Sequence, residues 1–220
     1  MSSGWRLYKV GVKTGSTLIV LSLFILILFL LPMGYEGEGF EAYKYIWGPI
    51  QGMAVFIPFF ILFDHCHINN LREPIVVTRT TTKKRMGISN FSALISAISF
   101  TILAAVTLAI KFQLIRENFF IKENGNALIL CFLCFFATSL AYKSLYLFLN
   151  NFLIPFAIIL SCLMTEYFLV TRMGIPFRLL LAPAFIPYSF LSSLFQSSVV
   201  ILAFEFLYYF SECQRKEDIK

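Results

Sequence analysis

The feature that most limits this chain is a run of fourteen residues, "LIVLSLFILILFLL" (Leu18–Leu31), broken only by Ser22. It belongs to the first of six apolar stretches, Ser16–Met33, Ile46–Phe63, Phe91–Ile110, Ala127–Tyr146, Phe152–Val170 and Phe190–Phe210. A helix that crosses a bilayer needs about 20 apolar residues, with roughly 17–25 tolerated. Hydrocarbon offers no water to backbone N–H and C=O groups, so each stretch must bond within itself as a helix. A barrel would require short alternating strands, and these runs are continuous. Composition agrees: 59% of the 220 residues are hydrophobic and 14% charged, whereas a soluble domain carries about 25% charge. The expectation is an all-α integral membrane protein with six transmembrane helices in one domain.

Lys and Arg set the orientation. With both termini on one side, that side collects Arg6, Lys9, Lys13, Arg72, Arg79, Lys83, Lys84, Arg85, Lys143, Arg215, Lys216 and Lys220, twelve cations against six on the other. The richer side is cytoplasmic, so both termini are expected inside. The net charge of +6 follows from this bias, and no nucleic-acid partner is expected. Lys143, near the inner end of its span, is expected to snorkel to the surface.

The flanks complete the plan. Residues 1–15 are expected to form an interfacial amphipathic segment, with Trp5, Tyr8 and Val12 on one face and Arg6, Lys9 and Lys13 on another. The first apolar run is long enough to span, and no cleavable signal peptide is expected. Residues 16–210 form the six-span domain and 211–220 a cytosolic tail. Between the fifth and sixth spans, "MGIPFRLLLAPAFIPYS" is apolar but interrupted by Pro176, Pro183 and Pro187. Short Pro-broken helices on the outer side, before the last span, satisfy the backbone best.

The polar elbow 64–90, "DHCHINNLREPIVVTRTTTKKRMGISN", carries five cations, two carboxylates and two histidines. Each Lys or Arg costs about 2.5–3.5 kcal/mol at mid-membrane, so the elbow is expected in the cytosol. Two or three lysines would suffice to hold topology; the length and pattern ask for more. Leu71 and Ile75 are four apart, on one helical face, with Arg72 and Glu73 pointing elsewhere. Pro74 suits a first helical turn. A short helix followed by the hydroxyl-and-cation cluster "TRTTTKKR" describes a docking surface for a cytosolic partner.

Other constellations are weaker. "GVKTGST" (Gly11–Thr17) lacks the spacing and the Lys of a phosphate loop. In "DHCH" (Asp64–His67), Asp64 and His67 offer at most two metal ligands, and no metal is expected. "CFLC" (Cys131–Cys134), inside an apolar run, reads as small core residues. No Ser–His pair, adjacent-glutamate or His-Glu-x-x-His motif is present, so no catalytic residue is expected. Glu166 and Glu205 are carboxylates inside spans and therefore candidate pathway residues.

The stretch "NNLREPIVVTRTTTKKRMGISNFSALIS" resembles the loop after the second span in type-2 permeases of ATP-binding-cassette exporters, most of all the small Gram-positive peptide and lantibiotic exporters. Arg79, Thr82, Lys83, Lys84 and Arg85 follow the family's order. The six spans, inside termini, amphipathic start and Pro-broken segment are also similar. The resemblance implies a permease subunit in a bacterial cell membrane, paired with a second permease and driven by a separate ATPase subunit that holds ATP and Mg. Leu71, Arg72, Glu73, Ile75, Arg79, Lys83, Lys84 and Arg85 would couple to that ATPase. The implied cargo is an amphipathic antimicrobial or cytolytic peptide, exported or expelled for self-immunity. The chain itself would need no cofactor and perform no hydrolysis. A stand-alone immunity protein and a proton-coupled carrier using Glu166 or Glu205 are the alternatives.

Overall fold

The computed structural model of the protein describes residues 14–31, 46–68, 81–114, 119–120, 122–149, 151–173 and 190–218. Among them the protein is all-helical, without a strand. Helix α1 is Thr14–Leu30. Helix α2 is one rod in three pieces: an α-turn Pro49–Gln51, a π-turn Gly52–Phe56 and an α-helix Ile57–Ile68. Then come α3 (Thr82–Leu114), α4 (Lys122–Leu149), α5 (Leu153–Arg172) and α6 (Phe190–Asp218).

Four helices are long and apolar enough to cross a membrane: Lys83–Leu114, Lys122–Leu149, Leu153–Arg172 and Phe190–Cys213. The apolar helices of α1 and α2, Gly15–Leu30 and Gly52–Cys66, are shorter. At about 1.5 Å per residue they reach roughly 22–24 Å, short of the ~30 Å hydrocarbon core.

Helices α3 and α6 run farthest past the apolar stretches that predict them. Helix α3 starts nine residues before Phe91 because Thr81 caps it: its hydroxyl accepts the Lys84 N–H at 3.4 Å and its carbonyl the Arg85 N–H at 3.0 Å. Helix α6 runs on through the expected tail to Asp218, and Ser211 and Glu212 are buried. The expected elbow is correspondingly shorter, since 64–68 belong to α2 and 82–90 to α3. The expected interfacial segment and the Pro-broken stretch 174–189 lie outside the described residues, apart from the first turn of α1.

Helix α4 is the hub. It packs on α2, α3, α5 and, most extensively, α6. From Ala137 to Ser144 every residue is buried, two turns with no outward face. Helix α6 meets it through a narrow stripe, Ser193, Ser197, Val200, Phe204, Tyr208 and Ser211. Small side chains in that stripe let the backbones approach closely, which drives association where lipid cancels the hydrophobic effect. Beside that stripe α6 exposes apolar side chains, among them Leu191, Phe195, Leu202 and Phe206.

Halfway along, α1–α4 converge on a cluster of phenylalanines. Phe24 and Phe100 lie 4.4 Å apart by ring centroids, Phe60 and Phe135 4.8 Å, Phe100 and Phe135 5.2 Å. All four are fully buried. The π-turn serves this cluster: it brings Val55, Phe56 and Ile57, three residues in a row, into the interior, which a regular one-sided helix does not do. Cys131 and Cys134 pack in the same core, as small apolar residues.

Candidate functional site

Helices α2 and α4 end, and α3 begins, at the same end of the bundle, and α6 finishes there too. This order brings together polar side chains distant in sequence. Asp64, in the last turns of α2, accepts the Ser139 hydroxyl of α4 on Oδ2 at 2.6 Å. Its Oδ1 faces the Lys143 ammonium at 3.8 Å. Lys143 Nζ also donates to the Ser89 carbonyl of α3 at 3.1 Å. Asp64, Lys143 and Ser89 are all at most 2% exposed. One ion pair thus ties α2, α3 and α4.

A second pair ties α3 to α6. Arg85 Nε donates to Glu212 Oε2 at 3.0 Å with both side chains buried. The Tyr208 hydroxyl, one turn back on α6, donates to the other Glu212 oxygen at 3.3 Å. Above it, Asn90 Nδ2 donates to Glu205 Oε1 at 3.1 Å. Removing one member of a buried pair leaves an uncompensated charge and costs about 3–5 kcal/mol, so these links hold four helices in register.

His65 lies beside this cluster in an aromatic corner. Its Nδ1 is 2.7 Å from the Tyr142 hydroxyl, and its ring packs on Tyr146 and Phe152 with centroids 5.5 and 4.4 Å away. The Asn151 side chain accepts the Leu153 N–H at 2.8 Å and starts α5 there.

Several expectations change. Lys143 does not snorkel: α2 and α3 cover it, and Asp64 with the Ser89 carbonyl supplies the partners that water would have. Arg85, expected on the docking surface, is turned inward to Glu212. Lys83 and Lys84, on the first turn of α3, are exposed. Leu71, Arg72, Glu73, Ile75 and Arg79 lie outside the described residues. Asp64 is engaged by Ser139 and Lys143, and the His67 side chain lies outside the described residues; among those described, no three potential metal ligands converge. Glu205 joins the charged end through Asn90, but Glu166, buried on α5 toward its far end, does not.

The opposite end carries a separate polar belt. Lys111 of α3 donates to the Leu28 carbonyl at 2.6 Å and to the Leu31 carbonyl, capping α1 at its negative end. Trp47 Nε1 donates to Asn124 Oδ1 at 2.8 Å, and Asn124 Nδ2 to the Phe119 carbonyl.

Sequence reading missed Asp64 with Lys143 as a pair. The signal was present: opposite charges at matched depth in neighbouring spans seldom stay apart. Compared with known proteins, the chain matches no family model, no curated protein and no solved structure.

Proposed function

We propose that the chain is the transmembrane permease subunit of an ATP-binding-cassette exporter. In this reading all six helices cross a bacterial cell membrane, the bilayer thinning locally around the shorter α1 and α2; both termini face the cytosol, and two permeases pair. A separate ATPase binds ATP and Mg and moves the α2–α3 connection. The cargo is an amphipathic antimicrobial or cytolytic peptide, expelled from the cell or its membrane. The resemblance of residues 69–96 to the coupling loop of such permeases supplies the motor.

One observation carries the mechanical part. Both helices that flank the connection are bonded to the rest of the bundle close beside it: α2 through Asp64 to α4, and α3 through Arg85 and Asn90 to α6. A force on the connection therefore reaches α4 and α6 through short ionic links rather than through yielding apolar packing. Lys83 and Lys84, exposed at the start of α3, remain for contact with the motor, while Arg85 transmits inward.

The test is co-purification with an ATP-binding-cassette ATPase subunit co-expressed from the same source. Replacing Arg79, Lys83 and Lys84 by Ala, with Arg85 kept, is expected to abolish that association. Association that survives the triple change removes the basic cluster as the dock. Full peptide efflux in liposomes without any ATPase would replace the exporter with the proton-coupled carrier.

A further inference from the structure

Three carboxylates stand at the charged end, and the fold treats one of them differently. Asp64 faces Lys143, and Glu212 is bonded to Arg85. Glu205 has a neutral partner instead, the Asn90 amide, which donates to Oε1 at 3.1 Å. Among the described residues no cation reaches Glu205, and its Oε2 accepts no hydrogen bond. The side chain is partly exposed. It lies five residues before Phe210, where the apolar run of α6 ends, about 8 Å at 1.5 Å per residue. An anionic group at that depth calls for a counter-charge, and the nearby cations Lys143 and Arg85 already serve Asp64 and Glu212.

The surroundings of Glu205 are an open strip. Helix α3 leaves the charged end and α6 returns to it, so the two are antiparallel where Asn90 meets Glu205. Between antiparallel right-handed helices, positions turned in the same sense from the contact lie on the same side of the seam. At about 100° per residue, Ser89 and Ala93 of α3 and Phe204 and Tyr208 of α6 turn one way. All four are buried, and α4 packs on both helices. Gly87, Phe91 and Leu94 of α3 and Leu202, Phe206 and Tyr209 of α6 turn the other way, and all six are exposed. A Cβ placed on Gly87 meets nothing within 4 Å, so this side has room. One carboxylate without a cation is thus set among accessible apolar and aromatic side chains.

The geometry points to a binding strip for an amphipathic cationic peptide on the open side of the α3–α6 seam: Glu205 pairs with a Lys or Arg of the peptide, whose apolar face lies on Phe91, Leu94, Leu202 and Tyr209. The exposed rings of Phe206 and Tyr209 add attraction for the same cation. The strip's role as a cargo contact rests on the exporter reading, to which it adds the place of pick-up. Glu205 lies near the cytosolic end of α6 in that reading, so the peptide is taken from the inner leaflet. A peptide fits better than a lipid amine. An ethanolamine lipid brings its phosphate close to the same carboxylate, where like charges repel, whereas a Lys or Arg brings no anion.

Peptide binding tests it. The full-length protein in phosphatidylcholine nanodiscs, without any ATPase, is titrated with a fluorescent amphipathic Leu/Lys helical peptide, and anisotropy is read against empty nanodiscs. Glu205→Gln is expected to weaken protein-dependent binding about ten-fold or more, the loss of a charge-assisted bond. The variant keeps an oxygen for Asn90, so the α3–α6 link survives. Replacing the peptide's lysines by glutamine is expected to weaken binding as much. Gly87→Phe, placed where space is free, is expected to obstruct the strip and lower affinity in a folded protein. Wild-type affinity in Glu205→Gln or in Gly87→Phe, or equal affinity for the lysine-free peptide, overturns the proposal. Displacement of the peptide by added ethanolamine lipid assigns the strip to lipid and overturns it too. ATPase-driven efflux unchanged by Glu205→Gln removes this inference and leaves the exporter reading. Glu205-dependent binding in a protein that engages no ATPase removes the exporter reading and leaves the peptide strip.

Discussion

The charged end and the aromatic middle are held together by opposite means. In the middle, Phe24, Phe60, Phe100 and Phe135 fill space, and any ring of similar volume would serve much the same purpose. At the charged end, Asp64 requires Lys143 and Arg85 requires Glu212, and no other side-chain type substitutes alone. The middle tolerates small shifts continuously. The charged end holds one arrangement until its pairs part. An element meant to pass on movement needs the second kind of joint next to its input and the first kind farther away.

The largest expected effects come from single truncations in each region, and rescue tells them apart. Lys143→Ala and Phe135→Ala should each cost about 3–5 kcal/mol in unfolding experiments. Adding Asp64→Asn should restore most of the loss in the Lys143 variant, since it removes the stranded charge. No polar change should rescue the Phe135 variant. If Asp64→Asn restores nothing, the pair is not what makes the charged end rigid.

Glu212→Gln should cost less, about 1–3 kcal/mol, because the amide still accepts from Arg85 while its charge goes unmatched. The damage should appear first at the α3–α6 contact, seen as faster amide exchange in 211–218. The smallest change expected is Thr81→Ala. Loss of the cap should cost about 1 kcal/mol and fray only the first turn of α3, which exchange at 83–86 would reveal. Fraying that reaches Ser89 would show the ion pairs to be weaker than the cap.

How much was legible before the fold was known differs by feature. The helices were: among the described residues each apolar run is helical over most of its length, because an apolar backbone in hydrocarbon has no other solution. Their polar ends were not. Arg85 reads as one more cation in "TKKR", and only Glu212, 127 residues away, turns it inward. Lys143 reads as a snorkelling residue because local sequence shows its helix but not the helices that cover it. Glu205 reads as a candidate pathway carboxylate, and nothing local points to its partner Asn90. Ser89, whose carbonyl receives Lys143, carried no signal at all, since position on a helix says nothing about what lies opposite.

Helical class, apolar length and polar punctuation were therefore written in the order of residues along the chain, since each depends on neighbours a few positions away. Pairing was not. Whether Arg85 faces outward or meets Glu212, and whether Lys143 meets water or Asp64, depended on how α2, α3, α4 and α6 pack. Charge and hydrogen bonding act over a few ångströms of space, and packing alone converts distance along the chain into that proximity.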